Sequence, residues 1–340
     1  MGRIVVISTG GTIASRWQGS GFAADANGGE VMATAPLPEG VSVEIVDLFS
    51  VNSPRLTTHH QLTLLRTVHE VLADPDVDGI VVTHGTDTLE ESAFLVDLHH
   101  DDPRPVVFTG AQLPLGATDG DGPGNLHDAL LTAATTRGLG VVIAFDGKVH
   151  PARGTVKTQT LAPDAFADPS GTRLGNIGFG RVSVLRRALR PAALPLPAVP
   201  ETAPRVDMIM HHCDADALLL NAALEAGAQG IVLVATGAGN ATPEIAEAVA
   251  AATSRGVLVA LTTRVQAGPV TEIYTHGGAV DLVAAGAVPT GTLRAGQARI
   301  AVLSALLATT DPGERDRVLR RALGEAASGI EARPADLARV

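Results

Sequence analysis

The stretch Val81-Val-Thr-His-Gly-Thr-Asp-Thr-Leu-Glu-Glu-Ser92 begins as an apolar strand and ends as a helix, with a polar turn between them. A helix cap explains part of this turn, because the four-residue segments that begin at Asp87 and at Thr88 both fit the capping-box pattern. A cap leaves the imidazole of His84 and the hydroxyl of Thr86 unexplained. The turn is therefore a candidate site as well as a candidate cap.

Short apolar runs rich in valine and isoleucine recur along the chain, and each is continuous rather than alternating. Such runs predict strands that are buried on both faces of a parallel sheet. Helical patterns lie between them, and this alternation predicts an α/β fold with mostly right-handed crossovers. The predicted strands are 4–7, 43–46, 79–82, 106–108, 141–145, 231–234 and 257–261, and the predicted helices are 58–73, 87–99, 124–137, 214–226 and 243–255.

A proline-rich segment interrupts the alternation, with five prolines between Pro191 and Pro204. Proline fixes φ and lacks an N–H, so this segment is neither a helix nor a central strand. We predict a linker at 191–204 between two α/β domains. The larger N-terminal domain, with a mostly parallel sheet, would take residues 1–190, and a smaller C-terminal parallel-sheet domain would take residues 205–340.

Composition narrows the class of protein. The chain has 340 residues, a net charge of −11 and no basic stripe, so neither nucleic acid nor an anionic membrane is an expected partner. No apolar run approaches the ~20 residues that a membrane-spanning helix needs. The first residues predict a strand rather than an export signal, so the expected location is the cytoplasm. Cys213 is the only cysteine, which rules out an intrachain disulfide.

A second polar loop, Ser8-Thr-Gly-Gly-Thr-Ile-Ala14, follows the first predicted strand. Open α/β sheets bind ligands beyond the carboxyl ends of their strands, so both loops are candidate binding sites. This loop fits neither the P-loop nor the Rossmann fingerprint, which argues against a nucleotide. The paired histidines and the run Asp119-Gly-Asp-Gly122 lack metal-site spacing, so we expect no metal and no other cofactor.

Lysine is used sparingly, since the chain has only Lys148 and Lys157 among its 25 basic residues. Lys157 lies among hydroxyl-bearing and apolar residues. A threonine hydroxyl is a weak nucleophile until a base takes its proton, and a desolvated lysine can be that base where arginine cannot. A lysine left on the surface fits the pattern equally well. Likewise, His84 fits either a buried structural imidazole or a catalytic one.

The loops at 8–14 and 82–91 together resemble those of the bacterial-type L-asparaginases, of the asparaginase/glutaminase family. Further similar segments are 106–112, 121–126, 154–158 and 281–286, so the resemblance extends to about residue 310. The two α/β domains of that family agree with the predicted linker. The resemblance implies an amidohydrolase that converts L-asparagine to L-aspartate and ammonia without a cofactor. It also implies a homotetramer, a dimer of close dimers with its sites at the dimer interface.

Residue roles follow from the resemblance. Thr12 would attack the side-chain amide carbon and form an acyl-threonine ester. Thr86 would hold the attacking water or, alternatively, act as a second nucleophile. Lys157 would be the base, coupled through Asp87 and Thr86. Asp87 would also bind the α-ammonium of the substrate, and Ser53 would bind its α-carboxylate. Backbone N–H groups beside the two threonines are candidate oxyanion donors.

The sequence departs from the better-known exported members of the family in its predicted lid, residues 15–32. Their lid carries a catalytic tyrosine, whereas this segment has Trp17 and Phe22 and no tyrosine. Pro54 follows Ser53, where those relatives often have a glutamine. These departures predict weak glutaminase activity or slow hydrolysis of asparagine.

Family members complete their site with an asparagine and a glutamate from a neighbouring subunit. Asn240 is the candidate for the first, with Thr242 as an alternative match, and Glu272 lies near the second. Two other functions stay open. One is a related amidohydrolase for glutamine or another amide, and the other is a catalytically weak homologue that binds an amino acid. The retained threonines, aspartate and lysine favour the enzyme.

Overall fold

The computed structural model describes residues 2–324, whose strands form two large sheets and two short hairpins. The strands are β1 (Gly2–Ser8), β2 (Ser15–Trp17), β3 (Phe22–Ala24), β4 (Val41–Asp47), β5 (Gly79–Thr83), β6 (Val106–Thr109), β7 (Val141–Phe145), β8 (Lys148–Pro151), β9 (Val156–Lys157), β10 (Phe166–Ala167), β11 (Gly175–Gly178), β12 (Arg181–Val184), β13 (Val206–Met210), β14 (Gly230–Ala235), β15 (Leu258–Thr263) and β16 (Val288–Pro289). The helices are α1 (Gly28–Met32), α2 (Thr58–Leu72), α3 (Leu89–His99), α4 (Gly122–Thr135), α5 (Leu218–Glu225), α6 (Pro243–Thr253), α7 (Ala279–Ala284), α8 (Ala295–Ala308) and α9 (Pro312–Leu323).

The larger sheet has eight strands in the order β12-β11-β8-β7-β6-β5-β1-β4. The five strands from β7 to β4 run parallel, and β8, β11 and β12 extend the sheet in antiparallel fashion. The second sheet has four parallel strands in the order β13-β14-β15-β16. The predicted fold class is therefore confirmed.

Burial follows the position of each strand in its sheet. The strands β5, β6 and β7 are buried along their whole length, as their continuous apolar runs predict. The prediction is wrong for β4, which lies at the sheet edge, and Glu44 and Ile45 on this strand are exposed. An edge strand has a neighbour on one side only, so its side chains are covered less completely.

The proline-rich segment contains neither a helix nor a strand, as its prolines predict. It lies against the end of α3, where the Leu194 N–H donates to the Leu98 carbonyl at 2.7 Å. The side chain of Leu194 is buried. The domain boundaries stay a prediction, and residues 325–340 of the expected C-terminal domain lie outside the described residues.

A single apolar core joins the two sheets through α3 and α8. Phe94 and Leu95 of α3 and Ile300 and Leu303 of α8 are all fully buried in it, together with Val232 of β14. Because α8 is buried or half-buried along nearly its whole length, it packs against the second sheet and against α3 at once. Within residues 2–324, no helix is both long enough and apolar enough to cross a bilayer.

Candidate active site

Four loops meet at the carboxyl edge of the larger sheet, because β4, β1, β5 and β6 are adjacent and parallel. The loops that follow these strands surround a pocket of about 330 Å³. This is where an open α/β sheet is expected to bind a ligand. The wall of the pocket includes Thr12, Phe22, Ser53, Thr86, Asp87 and Gln112.

Two glycines let the backbones of these loops touch. Gly11 has a φ of +87°, and a Cβ on it would lie 2.3 Å from the Cα of Gly85. A Cβ on Gly85 would lie 2.7 Å from the hydroxyl oxygen of Ser53. Any side chain at these two positions would push the loops apart, so the glycines bring Thr12, Ser53 and Thr86 to one pocket.

Lys157 reaches two residues of the pocket wall from β9, which pairs with β10 outside the larger sheet. Its Nζ donates hydrogen bonds to Thr86 Oγ1 and to Asp87 Oδ1, both at 2.8 Å. The lysine side chain is only 17% exposed, whereas that of Asp87 is 57% exposed. Of the two interpretations that the sequence left open for Lys157, the geometry favours a site residue. Lys148, by contrast, pairs with Asp146.

Gln112 is a site residue that the sequence analysis assigned no role. Thr86 Oγ1 donates to Gln112 Oε1 at 3.3 Å, and Gln112 Nε2 donates to the Ala162 carbonyl at 3.2 Å. Since the Thr86 hydroxyl accepts from Lys157, its own hydrogen is directed to Gln112. The available signal was position, because Gln112 follows β6 at the same sheet edge as the two candidate loops.

Thr12 has a different environment. It begins a single 3₁₀ turn, Thr12–Ala14, and is partly exposed in the pocket wall. Among the described residues, its hydroxyl has no hydrogen-bond partner. The backbone N–H groups of Thr12 and Thr86 likewise have no acceptor within the described part of the chain. Two donors and one hydroxyl are thus available to a ligand.

The capping-box prediction for the polar turn is wrong. Thr88 is the N-cap of α3, but its side chain makes no cap hydrogen bond. Its hydroxyl donates instead to the Ser53 carbonyl at 3.1 Å. Asp87 bonds Lys157, and the Glu90 carboxylate accepts the backbone N–H of Lys157. The turn uses its polar groups to join loops that are far apart in sequence.

His84 has a structural role in this arrangement. It is fully buried, with Nδ1 2.8 Å from the Gly85 carbonyl oxygen and Nε2 2.9 Å from Ser92 Oγ. Burial lowers the pKa of the imidazole to about 4. The ring is therefore neutral and its two nitrogens are already bonded, which leaves it no free group for chemistry.

Glu90 is a buried carboxyl directly behind the site. Burial raises its pKa to about 7, while the hydrogen bond from the Lys157 backbone opposes this shift and the charge of Glu91 adds to it. Its neighbour Glu91 also has a raised pKa because of burial, opposed by Arg299. These two acids lie at the start of α3, one turn from Asp87.

The predicted lid forms a short hairpin of β2 and β3. The rings of Trp17 and Phe22 pack edge to face with centroids 5.2 Å apart, and both are largely exposed. Phe22 lines the pocket, so the lid presents an aromatic ring there without a hydroxyl. Tyr274, the only tyrosine, is exposed in the C-terminal half of the chain.

The site residues from the first 190 positions lie together, whereas those from the second sheet do not join them. Asn240 is in the loop after β14, where its backbone pairs with Thr236, and it is not part of the pocket wall. Thr242 is the N-cap of α6, and Glu272 is exposed. Within residues 2–324, no three histidine, cysteine or acidic side chains are arranged to hold a metal ion.

Comparison with known families gives two matches along the chain. Residues 3–190 match the asparaginase N-terminal family, and residues 205–319 match the glutaminase/asparaginase C-terminal domain. Among curated relatives, an L-asparaginase of Bacillus licheniformis is 34% identical and covers 93% of this chain and 98% of its own length. A probable L-asparaginase of Deinococcus radiodurans is 36% identical and covers 88% of this chain and 92% of its own length.

A solved structure is similar over nearly the whole fold. The crystal structure of a probable cytoplasmic L-asparaginase from Campylobacter jejuni superposes with a TM-score of 0.83 at 28% identity. The match covers 94% of this chain and 99% of that one. The order of domains and the two-sheet architecture are therefore shared along both chains.

Proposed function

The chain belongs to the asparaginase/glutaminase family, and on this premise we propose that it is an L-asparaginase, hydrolysing L-asparagine to L-aspartate and ammonia. One observation carries the proposal. Thr12, Thr86 and Asp87 line a single pocket, and Lys157, from a third segment of the chain, bonds both Thr86 and Asp87. A pocket of about 330 Å³ is also of the size that suits a small substrate.

In the proposed reaction, Thr12 Oγ1 attacks the side-chain amide carbon of asparagine. The backbone N–H groups of Thr12 and Thr86 stabilise the oxyanion, which is worth a few kcal/mol for each donor. The proton of the Thr12 hydroxyl passes to the amide nitrogen, the carbon–nitrogen bond breaks, and ammonia leaves. An ester between Thr12 and the aspartyl group remains.

Water then hydrolyses this ester. Thr86 holds the water, and a neutral Lys157 takes its proton through Thr86, whose hydroxyl turns its hydrogen from Gln112 Oε1 to Lys157 Nζ, 2.8 Å away. Collapse of the second tetrahedral intermediate releases L-aspartate and restores the Thr12 hydroxyl. This assignment is supported by the free Thr12 hydroxyl and by the bonded Thr86 hydroxyl.

Two side chains at the carboxyl edge of the larger sheet would select the substrate. Asp87, with its largely exposed carboxylate, would bind the α-ammonium group, and Ser53 would bind the α-carboxylate. Pro54, which also lines the pocket, offers no side-chain amide. We expect this lack of an amide beside Ser53 to favour asparagine over the longer glutamine.

We also propose that the protein acts in the cytoplasm as a homotetramer, a dimer of dimers in which a second subunit supplies Asn240 to each site. The position of Asn240 outside the pocket of its own chain supports an intersubunit role. Light scattering and cell fractionation test these two points. A monomer with full activity would overturn the intersubunit role.

The test of the function is ammonia release by the purified protein, with L-asparagine and L-glutamine measured in parallel. Release from asparagine well above that from glutamine is the expected result. Release from glutamine alone would assign a glutaminase. Binding of aspartate by calorimetry without turnover of either amide would assign an amino-acid-binding homologue instead.

A further inference from the structure

The helix α8, which packs on the second sheet, contacts the segment before Lys157 with its first turn. The first turn of α8 lies beside the connection between β8 and β9, and that connection leads directly into Lys157. It lies equally close to the start of α3, where a Cβ on Gly296 would be 3.1 Å from Glu91 Cγ and 3.4 Å from Glu90 Oε1. The first turn of α8 thus contacts both segments that hold the lysine.

Gln297 makes the contact with the β8–β9 connection. Its Oε1 accepts the Gly154 N–H at 2.8 Å. Its Nε2 donates to the carbonyls of Ala152 and Thr155, at 2.8 and 3.0 Å. The side chain is fully buried, and its amide group pairs two buried carbonyls and the N–H of the half-buried Gly154. Leaving such groups unpaired is unfavourable, so the amide fixes the backbone of this connection.

The backbone of Lys157 is fixed from the other side by Glu90, whose carboxylate accepts its N–H. Gln297 thus holds residues 152–155, just before the lysine, and Glu90 holds the backbone of Lys157 itself. The Nζ contacts with Thr86 and Asp87 depend on this backbone position. The second half of the chain enters this arrangement through Gln297, whose hydrogen bonds hold residues 152–155 just before Lys157.

We propose that Gln297 is a positioning residue for Lys157, acting through the backbone of residues 152–155. The inference rests on the proposed function, since Lys157 is the base in that reaction. Gln297 does not line the pocket and touches neither Thr12 nor Ser53. Its loss should therefore lower kcat without weakening the binding of aspartate.

Gln297→Met tests the proposal, because methionine keeps the volume and removes all three hydrogen bonds. A displacement of about 1 Å in a catalytic group can cost about 100-fold in rate, and we expect a loss of kcat of this order. The Kd for L-aspartate, measured by calorimetry, should be unchanged. Ser304→Ala is the matched control, since Ser304 is a buried polar residue of the same helix and its hydroxyl has no partner among the described residues.

Gly296→Ala provides a second variant should Gln297→Met fail to fold. Its Cβ would press on the Glu91 side chain, so a smaller loss of kcat at constant aspartate affinity is expected. Wild-type kcat in Gln297→Met would overturn the proposal. Equal losses of kcat in Gln297→Met and Ser304→Ala would also overturn it, because they would indicate general destabilisation.

A crystal structure of Gln297→Met separates this inference from the proposed function. If the wild-type protein releases no ammonia, the function fails, but the distance from Lys157 Nζ to Thr86 Oγ1 still reports on Gln297. A lengthened distance supports the positioning role. An unchanged 2.8 Å contact in the variant contradicts it.

Discussion

The two threonines of the pocket have opposite environments. Thr86 accepts a hydrogen bond from Lys157 and donates one to Gln112, so its hydroxyl is fully bonded within the protein. Thr12 lies across the same pocket, and its hydroxyl has no partner among the residues that the structure describes. The two environments suit two different chemical roles. A bonded hydroxyl suits the transfer of a proton, whereas a free hydroxyl in the wall suits attack on a substrate.

The largest effect is expected for Thr12→Ala. If Thr12 is the nucleophile, its removal should lower kcat by about 10⁴ or more while the fold survives, since loss of a nucleophile abolishes the covalent route. Steady-state ammonia release measures the loss of kcat, and the circular dichroism spectrum checks that the fold survives. Thr12→Ser keeps a hydroxyl and serves as the control. Normal turnover by Thr12→Ala would shift the nucleophile to Thr86.

Lys157→Met should give the next largest loss, about 10²–10⁴-fold in kcat, which is the usual contribution of a general base. The hydroxyl of Thr86 would keep its bond to Gln112 but lose the amine that we propose as the base. Lys148→Met is the matched control, because Lys148 is the only other lysine and pairs with Asp146. Equal activity of the two variants would remove Lys157 from the mechanism.

Glu90→Gln tests the buried carboxyl that accepts the backbone N–H of Lys157. The pKa of Glu90 is raised by burial to about 7 from an ordinary value of 4.5, so the folded state favours the protonated acid. Its contribution to stability is fully present below pH 4.5 and is lost as the pH rises through 7. Glutamine is neutral at every pH and can still accept the Lys157 N–H.

The Glu90→Gln variant should therefore be more stable than the wild type at pH 8, by on the order of 2 kcal/mol, and similar to it at pH 4.5. Urea unfolding at the two pH values measures the difference. Glu70→Gln, which replaces an exposed carboxylate on α2, is the control. An identical dependence of stability on pH in Glu90→Gln and the wild type would refute the burial of a charged group here.

Phe22→Tyr addresses the Thr12 side and should have the smallest effect. The new hydroxyl would join Thr12, the proposed nucleophile, in the pocket wall, and we expect kcat to rise several-fold by assisted proton transfer. Trp17→Tyr is the control, because Trp17 packs on Phe22 but is not part of the pocket wall. A fall in kcat, or an equal rise in both variants, would mean that the lid does not activate Thr12.

Much of the larger sheet could be predicted from sequence, because buried parallel strands are continuous apolar runs. The helix α8 was missed for the same physical reason that makes it important. Its apolar side chains are spread around the helix, so it lacks the periodicity that identifies an amphipathic helix. The helix α9 did carry a start signal, with Asp311, Pro312 and Glu314 in order, which the sequence analysis did not use.

Only part of the candidate site could likewise be predicted from the sequence. Loop position after parallel strands was enough to place Thr12 and Thr86 at one edge of the sheet. The contact between Lys157 and Thr86 joins residues 71 positions apart through a two-stranded hairpin, and no local pattern encodes such a contact. The role of Glu90 was hidden because the same residue fits a capping box, and tertiary contacts replaced that cap.

The most direct test of the difference between the two threonines is to trap the covalent intermediate. The enzyme would be quenched with acid during turnover of L-asparagine, digested, and mapped by mass spectrometry. We predict an aspartyl ester on the peptide that contains Thr12 and an unmodified peptide around Thr86. An ester on Thr86 with Thr12 unmodified would contradict the assignment of the free hydroxyl as the nucleophile.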